Sequence, residues 1–134
     1  MNRIPGIISD VQSDGQLTAV EVLSGNDTFT SLIIDEKNGV IRPGNTIHLQ
    51  FKECDTAIGL EGPLPISCRN RWAGPITDLL EGKVVTRVTI DCRGTKIAAL
   101  IMSKSAESLC LHNGMRVVCF VKSSSMIIDW GGMP

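Results

Sequence analysis

Gly74-Pro75-Ile76-Thr77-Asp78 repeats Gly6-Ile7-Ile8-Ser9-Asp10 at an offset of 68 residues. Further along, Pro43-Gly44-Asn45-Thr46-Ile47-His48-Leu49-Gln50-Phe51-Lys52 matches Asn113-Gly114-Met115-Arg116-Val117-Val118-Cys119-Phe120-Val121-Lys122 at an offset of 70. The register drifts so little that one pattern occurs twice, and a repeat of this length defines the folding unit. The copies run over residues 1–60 and 66–130, with a linker at 61–65 inside the Gly- and Pro-rich stretch 59–65. A unit of about 65 residues buries little surface and is only marginally stable alone. The copies are therefore expected to pack on each other or on a second chain.

Strand patterns dominate each copy. Residues 16–24 alternate polar and apolar, turn at Gly25-Asn26-Asp27 and continue through 28–34. The same hairpin recurs at 84–92 and 95–102 around Arg93-Gly94. A short helical segment follows each hairpin, at 36–41 and 103–111. Gly44 and Gly114 then open a fourth strand (46–52; 116–122), and a fifth follows (56–60; 126–130). This pattern predicts an all-β protein of two tandem OB-like five-stranded antiparallel barrels, each with one short helix; closure of each barrel removes exposed strand edges. The tail at 131–134 is expected to be loose.

Composition removes several function classes. The chain has 134 residues, 13 Lys and Arg against 14 Asp and Glu, and a formal net charge of −1. It lacks the basic stripe that nucleic-acid backbones require. With two Trp, three Phe and no Tyr, base-stacking platforms are scarce. No apolar run approaches the ~20 residues of a membrane helix, and no signal-peptide pattern opens the chain. Cys54, Cys68, Cys92, Cys110 and Cys119 are odd in number and never spaced C-x-x-C. They read as free thiols in a reducing, cytoplasmic compartment. His48 and His112 lack ligand-spaced neighbours and read as surface or turn residues. Trp72 and Trp130 read as core or interface anchors. No nucleophile has a base and an orienting group beside it, so no catalytic residue is assigned and the chain is read as non-enzymatic.

The copies differ in chemistry. Only the second has Ser67-Cys68-Arg69-Asn70 at its head and Lys122-Ser123-Ser124-Ser125 at its tail, with Ser103-Lys104-Ser105 at a predicted helix start between them. Neither end motif contains a carboxylate. Arg offers a planar donor fork, Lys a compact charge, and a helix start unpaired N–H groups. A site made only of donors selects a fully deprotonated anion, and a tetrahedral dianion such as molybdate, tungstate or sulfate fits. Ser-Arg-Asn before a strand is also an ordinary turn, and Lys-Ser-Ser-Ser an ordinary solvated loop; their pairing at the two ends of one repeat favours the anion reading.

The stretch Ile66-Ser67-Cys68-Arg69-Asn70-Arg71-Trp72-Ala73-Gly74 resembles the S-x-R-N-x-[hydrophobic]-x-G opening of the molybdate-binding Mop, or TOBE, domain. The likeness continues through Gly82, Gly94, Leu109-Cys110-Leu111, Gly114 and Lys122-Ser123-Ser124-Ser125. The first copy, from Asn2-Arg3-Ile4-Pro5-Gly6, is similar to the more degenerate partner of tandem Mop proteins. This resemblance implies a molybdate- or tungstate-binding protein of storage, buffering or homeostasis, with sites at subunit or domain interfaces of a homo-oligomer. The anion-binding set it implies is Ser67, Cys68, Arg69, Asn70, Ser103, Ser105, Lys122, Ser123 and Ser124. These contact oxo groups, so neither direct metal ligation by side chains nor an organic cofactor is expected, and neither a membrane nor a nucleic-acid partner. Two departures stand out. Met102 replaces a common Thr donor, and in the first copy Met1 stands in the Arg position while Lys52 is followed by Glu53, so that copy is expected to be structural. An oligomerisation or adaptor module is the alternative, as is a ligand-sensing part of a transporter ATPase or transcription regulator. Titration with fluorescent single-stranded DNA at low salt is expected to show no binding; saturable binding would sink the anion reading in favour of an oligonucleotide-binding barrel.

Overall fold

The computed structural model describes residues 1–34, 41–63 and 65–130. The first repeat contains β1 (Asn2–Asp14), β2 (Leu17–Ser24), β3 (Asp27–Ile34), β4 (Thr46–Phe51), a 3-10 turn at Glu53–Asp55 and β5 (Ala57–Leu60). The second contains β6 (Asn70–Glu81), β7 (Val85–Cys92), β8 (Thr95–Met102), α1 (Ser103–Ser108), β9 (Arg116–Val121), a 3-10 turn at Ser123–Ser125 and β10 (Ile127–Asp129). The fold is all-β, with two five-stranded antiparallel sheets. Period-2 alternation predicts these strands because successive side chains face opposite sides. In β2, Thr18, Val20 and Val22 are buried, and in β7 Thr86, Val88, Ile90 and Cys92. The helix expected at 103–111 is shorter, ending before Cys110, whose φ of 54° reverses the chain. Of the helix expected at 36–41, residues 36–40 lie outside the described residues and Ile41 is not helical; the tail at 131–134 also lies outside them.

The repeated pentapeptide makes the sharpest feature of each sheet. The register between β1 and β2 shifts between Ile8 and Asp10, and that between β6 and β7 shifts between Ile76 and Asp78. A bulge of this kind bends and twists its strand. It lets one long strand pair with β4 or β9 through its first half and with β2 or β7 through its second. Gly6 and Gly74 sit where the neighbouring hairpin crosses closest. A Cβ on Gly74 would run into the carbonyl of Asp91, and one on Gly6 into the Val22 side chain, with the Leu23 carbonyl oxygen 3.2 Å away.

The fifth strands do not complete the sheet of their own repeat. The strand order is β10-β4-β1-β2-β3 in one sheet and β5-β9-β6-β7-β8 in the other. Ile127, Ile128 and Asp129 pair with Gln50, Leu49 and His48; Ala57 to Leu60 pair with Phe120 to Val117. The physical reason lies in the 3-10 turns, which follow an extended Lys52 or Lys122 and redirect the chain instead of folding it back as a tight hairpin. Asp129 then accepts hydrogen bonds from Arg3 (2.9 Å) and Gln50 (3.0 Å) in the first repeat.

Exchange of strands merges the interior into one hydrophobic cluster, with residues from both repeats. Trp72 of β6 stacks on Phe29 of β3 (centroids 4.4 Å apart) and on Phe51 of β4 (5.0 Å). Two buried asparagines bridge the sheets in matching fashion. The Asn2 amide donates to the Ala98 carbonyl (2.8 Å) and accepts from the Ala98 N–H (2.9 Å). Asn70 donates to the Thr30 carbonyl (2.9 Å) and accepts from the Thr30 N–H (2.7 Å). Each side-chain amide thus mimics one backbone partner for the third strand of the other repeat, β8 or β3. Gly74→Ala is expected to cost about 1–3 kcal/mol or more, because backbone must move to admit the methyl. Gly6→Ala, which first meets a side-chain methyl, should cost less. Urea unfolding of the two variants checks the order; equal midpoints would mean that the Asp91 carbonyl yields freely.

Candidate anion-binding site

Asn70 opens β6 and Val121 ends β9, and the two are partners in the ladder. Arg69 and Lys122 therefore leave side by side just beyond the last paired residues. Both end at β3 of the first repeat. Ser67, Cys68 and Arg69 line a surface concavity with Thr28, Thr30, Ile66 and Arg71. The turn Ser123–Ser125 packs on β3, where the Ser31 hydroxyl donates to the Met126 carbonyl (2.6 Å). The first repeat is the platform on which the second repeat's motifs meet.

The grouped donors are uncommitted. Arg69 and Lys122 are exposed, and among the described residues neither side chain makes an ion pair or hydrogen bond. Among the described residues no carboxylate lines the concavity. The turn itself is closed by the amides of Ser125 (to the Lys122 carbonyl, 2.9 Å) and Met126 (to the Ser123 carbonyl, 3.3 Å). Its first amides, those of Ser123 and Ser124, have no partner within the turn, as at any helical start. Arg71 was not singled out from sequence, yet it shapes the site. Its guanidinium donates to the carbonyls of Cys68 (3.1 Å) and Ile66 (3.2 Å) and lies over the Phe120 ring (5.5 Å). Strand alternation could have pointed to it, because Arg71 and Arg69 share the face opposite Asn70.

Other expected donors lie elsewhere or are already used. Asn70 is fully buried and spends its amide on Thr30 and on the Val121 carbonyl (3.0 Å). It holds Arg69 and Lys122 in place rather than facing a ligand. The Cys68 thiol is half-buried and turned toward the Asn70 carbonyl (3.7 Å). Ser103 is buried; its hydroxyl donates to the Gly82 carbonyl (2.7 Å) and accepts from Thr86 (2.8 Å), and its amide bonds the Val84 carbonyl (2.8 Å). Gly82 follows the far end of β6, a strand spanning about 40 Å when extended, so Ser103 and the exposed Ser105 are not brought to Arg69 within one chain. Glu81 and Glu107 lie in the concavity beside Ser103. Met102 is exposed and borders the first repeat's turn, near Cys54 and Asp55. Cys119 is buried against Cys92, whose thiol hydrogen bond, with burial, pushes Cys119 far above the ordinary thiol range. No group of three His, Cys, Asp or Glu side chains is placed to hold a metal among the described residues.

Residues 66–128 match the TOBE domain. The chain is 37% identical over 123 residues to the molybdenum-pterin-binding protein MopB of Rhodobacter capsulatus, an alignment covering 88% of this chain and 46% of that protein. It is 24% identical over 131 residues to the molybdenum transport protein ModE of Azotobacter vinelandii, covering 95% and 48%. The second repeat belongs to the TOBE family, and the chain as a whole is similar to molybdenum-pterin-binding proteins. It spans about half the length of these curated relatives. The structure of the cytoplasmic molybdate-binding protein ModG superposes with a TM-score of 0.90 at 20% identity, over 96% of this chain and 94% of that one, which shows a shared tandem fold.

Within this chain the TOBE repeat keeps the donor-only ends, and the first repeat differs at the same positions. Glu53 stands where the TOBE repeat has Ser123, and its carboxylate is taken by Arg87 of β7 (2.8 and 3.1 Å). That hydrogen bond, and then the guanidinium charge, hold Glu53 below the usual carboxylate range. No helix among the described residues is long and apolar enough to cross a membrane. Asn70→Ala would leave the Thr30 N–H and two carbonyls without their partner at about 1–3 kcal/mol each. A loss of about 2 kcal/mol or more in denaturant unfolding is expected; unchanged stability would remove Asn70 from its bridging role.

Proposed function

We propose that this chain binds molybdate or tungstate non-covalently, through hydrogen bonds and charge, as a non-enzymatic cytoplasmic protein of molybdenum storage or buffering. The observation that carries this reading is the juxtaposition, among the described residues, of two unpaired cations, Arg69 and Lys122, at the end of one ladder, with no acidic side chain among the described residues lining the concavity. Ser67 adds a hydroxyl, and Ser123 and Ser124 add hydroxyls and first-turn amides. Arg69 and Lys122 balance the −2 charge, while the smaller donors fix the orientation of a tetrahedron. Donors without an acceptor favour oxo groups that carry no hydrogen. Molybdate and tungstate make the same demand in nearly the same volume. The names of MopB, ModE and ModG support a molybdenum ligand. The description of ModG as cytoplasmic supports the compartment.

The site is half-open, with Ser67, Arg69, Lys122 and Ser124 all exposed, so a second copy of the chain completes it in this reading. Apolar surface supports such an association. Val85 and Met102, paired in β7–β8, are exposed with Leu80 and Val84; their counterparts Leu17 and Ile34 are paired and exposed in β2–β3. In a homo-oligomer, Ser105 of a neighbouring copy is the outlying donor that assembly could bring to the site.

Thermal unfolding with molybdate, and with sulfate as the control, tests the reading. At ~100 times its dissociation constant a ligand of the native state adds about 2.7 kcal/mol. Arg69→Ala should weaken binding by about 1.5–3 kcal/mol, tenfold or more, the range for a hydrogen bond to a charged group. No molybdate-specific rise at millimolar anion would leave the fold as an assembly module. Unchanged affinity in Arg69→Ala would remove that residue from the site.

A further inference from the structure

We propose that Glu53 is a built-in anion occupying the first repeat's counterpart of the oxyanion site, so that its carboxylate keeps a latent second site closed. The inference rests on the oxyanion reading of the TOBE repeat. The correspondence is set by pairing: Asn2 faces Phe51 as Asn70 faces Val121. The next residues, Lys52 and Lys122, are therefore equivalent, and each leads into a 3-10 turn, Glu53–Asp55 or Ser123–Ser125. Each turn packs on the last hairpin strand of the other repeat, β8 or β3. Glu53 thus takes the place of Ser123, whose amide has no partner within its turn.

Arg87 reveals what Glu53 does there. Its Nε donates to Oε1 (2.8 Å) and its Nη2 to Oε2 (3.1 Å). Two parallel bonds from a planar fork to two oxygens are also how a guanidinium takes an edge of a tetrahedral oxyanion. The β2 residue equivalent to Arg87 is Ala19, so this cation is present at the first turn alone. Lys52 is exposed and makes no ion pair among the described residues. Among the described residues the first turn therefore has two side-chain cations, Arg87 and Lys52, and the Met1 ammonium 3.9 Å from Glu53, beside two carboxylates, Glu53 and Asp55. The second turn has Arg69 and Lys122 with serines only. A free dianion entering the first turn must displace a carboxylate that is tethered beside its guanidinium, and a tethered competitor acts at an effective concentration of roughly millimolar.

Equilibrium dialysis against molybdate, with the metal counted per chain, tests the proposal on the whole chain. Glu53→Ser, alone and with Asp55→Ser, should raise the count to about twice the wild-type value, and adding Arg87→Ala should remove the gain. Glu53→Gln, uncharged and of the same size, should bind above wild type but less than the Ser variant, and it serves where Ser impairs folding. The wild-type count in both folded Ser variants, or in Glu53→Gln if those do not fold, overturns the proposal. Arg69→Ala separates the two readings. If it abolishes wild-type binding while the Glu53 variants gain nothing, the latent site alone is wrong. If wild type binds no molybdate but Glu53→Ser does, the TOBE-repeat reading is wrong and this one stands.

Discussion

Trp72 lies between Phe29 and Phe51, two rings that belong to the other repeat. Much of the structure follows from that insertion. Stacked aromatic pairs contribute about 0.5–1.5 kcal/mol beyond their burial, but the larger effect is topological. An indole placed in the neighbouring sheet forces the two sheets to share an interior, and the buried cluster runs through both. The exchanged strands β5 and β10 close that interior from either side. A half-chain of this size has too little core to fold well alone. Here neither half is asked to.

The shared interior also explains why the site stands where it does. Asn2 and Asn70 satisfy the terminal hairpin strands of the opposite repeat with paired hydrogen bonds. Each bridge lies at the end of a strand ladder, where the residue after the asparagine's ladder partner is the Lys that leads into a 3-10 turn. The scaffold therefore presents two equivalent turn-and-ladder ends, each on a platform supplied by the other repeat. Their chemistry diverges with four side chains. Arg69 and Ser123 leave one end a cluster of donors; Glu53 and Arg87 neutralise the other. A bidentate surface pair of this kind adds little stability, at most about 1 kcal/mol, so its main consequence is electrostatic occupancy rather than fold.

Particular residues show what could be read before the structure. Alternation in 16–24 and 84–92 located β2 and β7 because buried and exposed faces must alternate along a strand. The pentapeptide repeat marked a structural necessity, though its meaning as a bulge with a close backbone crossing at Gly74 emerged only in three dimensions. Ser67, Arg69, Lys122, Ser123 and Ser124 were grouped by sequence at the two ends of one repeat, and the β6–β9 ladder brings those ends together. Asn70 was grouped with them as the last residue of the Ser67-x-Arg69-Asn70 opening. Its inward face follows from strand parity once β6 is known to begin at that residue. Ser103 looked like a helix-start donor, but burial against Gly82 and Thr86 consumes its hydroxyl.

Local pattern determined the strands, the two-fold repeat, the donor-rich character of the second copy and the acidic substitution at Glu53. These are properties of short segments, in which periodicity and side-chain chemistry act over a few residues. Only the tertiary structure decided which strand each edge accepts, that Trp72 completes the first repeat's core, and that Arg87 reaches Glu53 from across the chain. Those are pairings between residues dozens of positions apart. An alternating strand carries the face it buries in its own sequence, but its hydrogen-bonding edges are the same backbone in every strand. The choice of partner is therefore made by the packing of the whole.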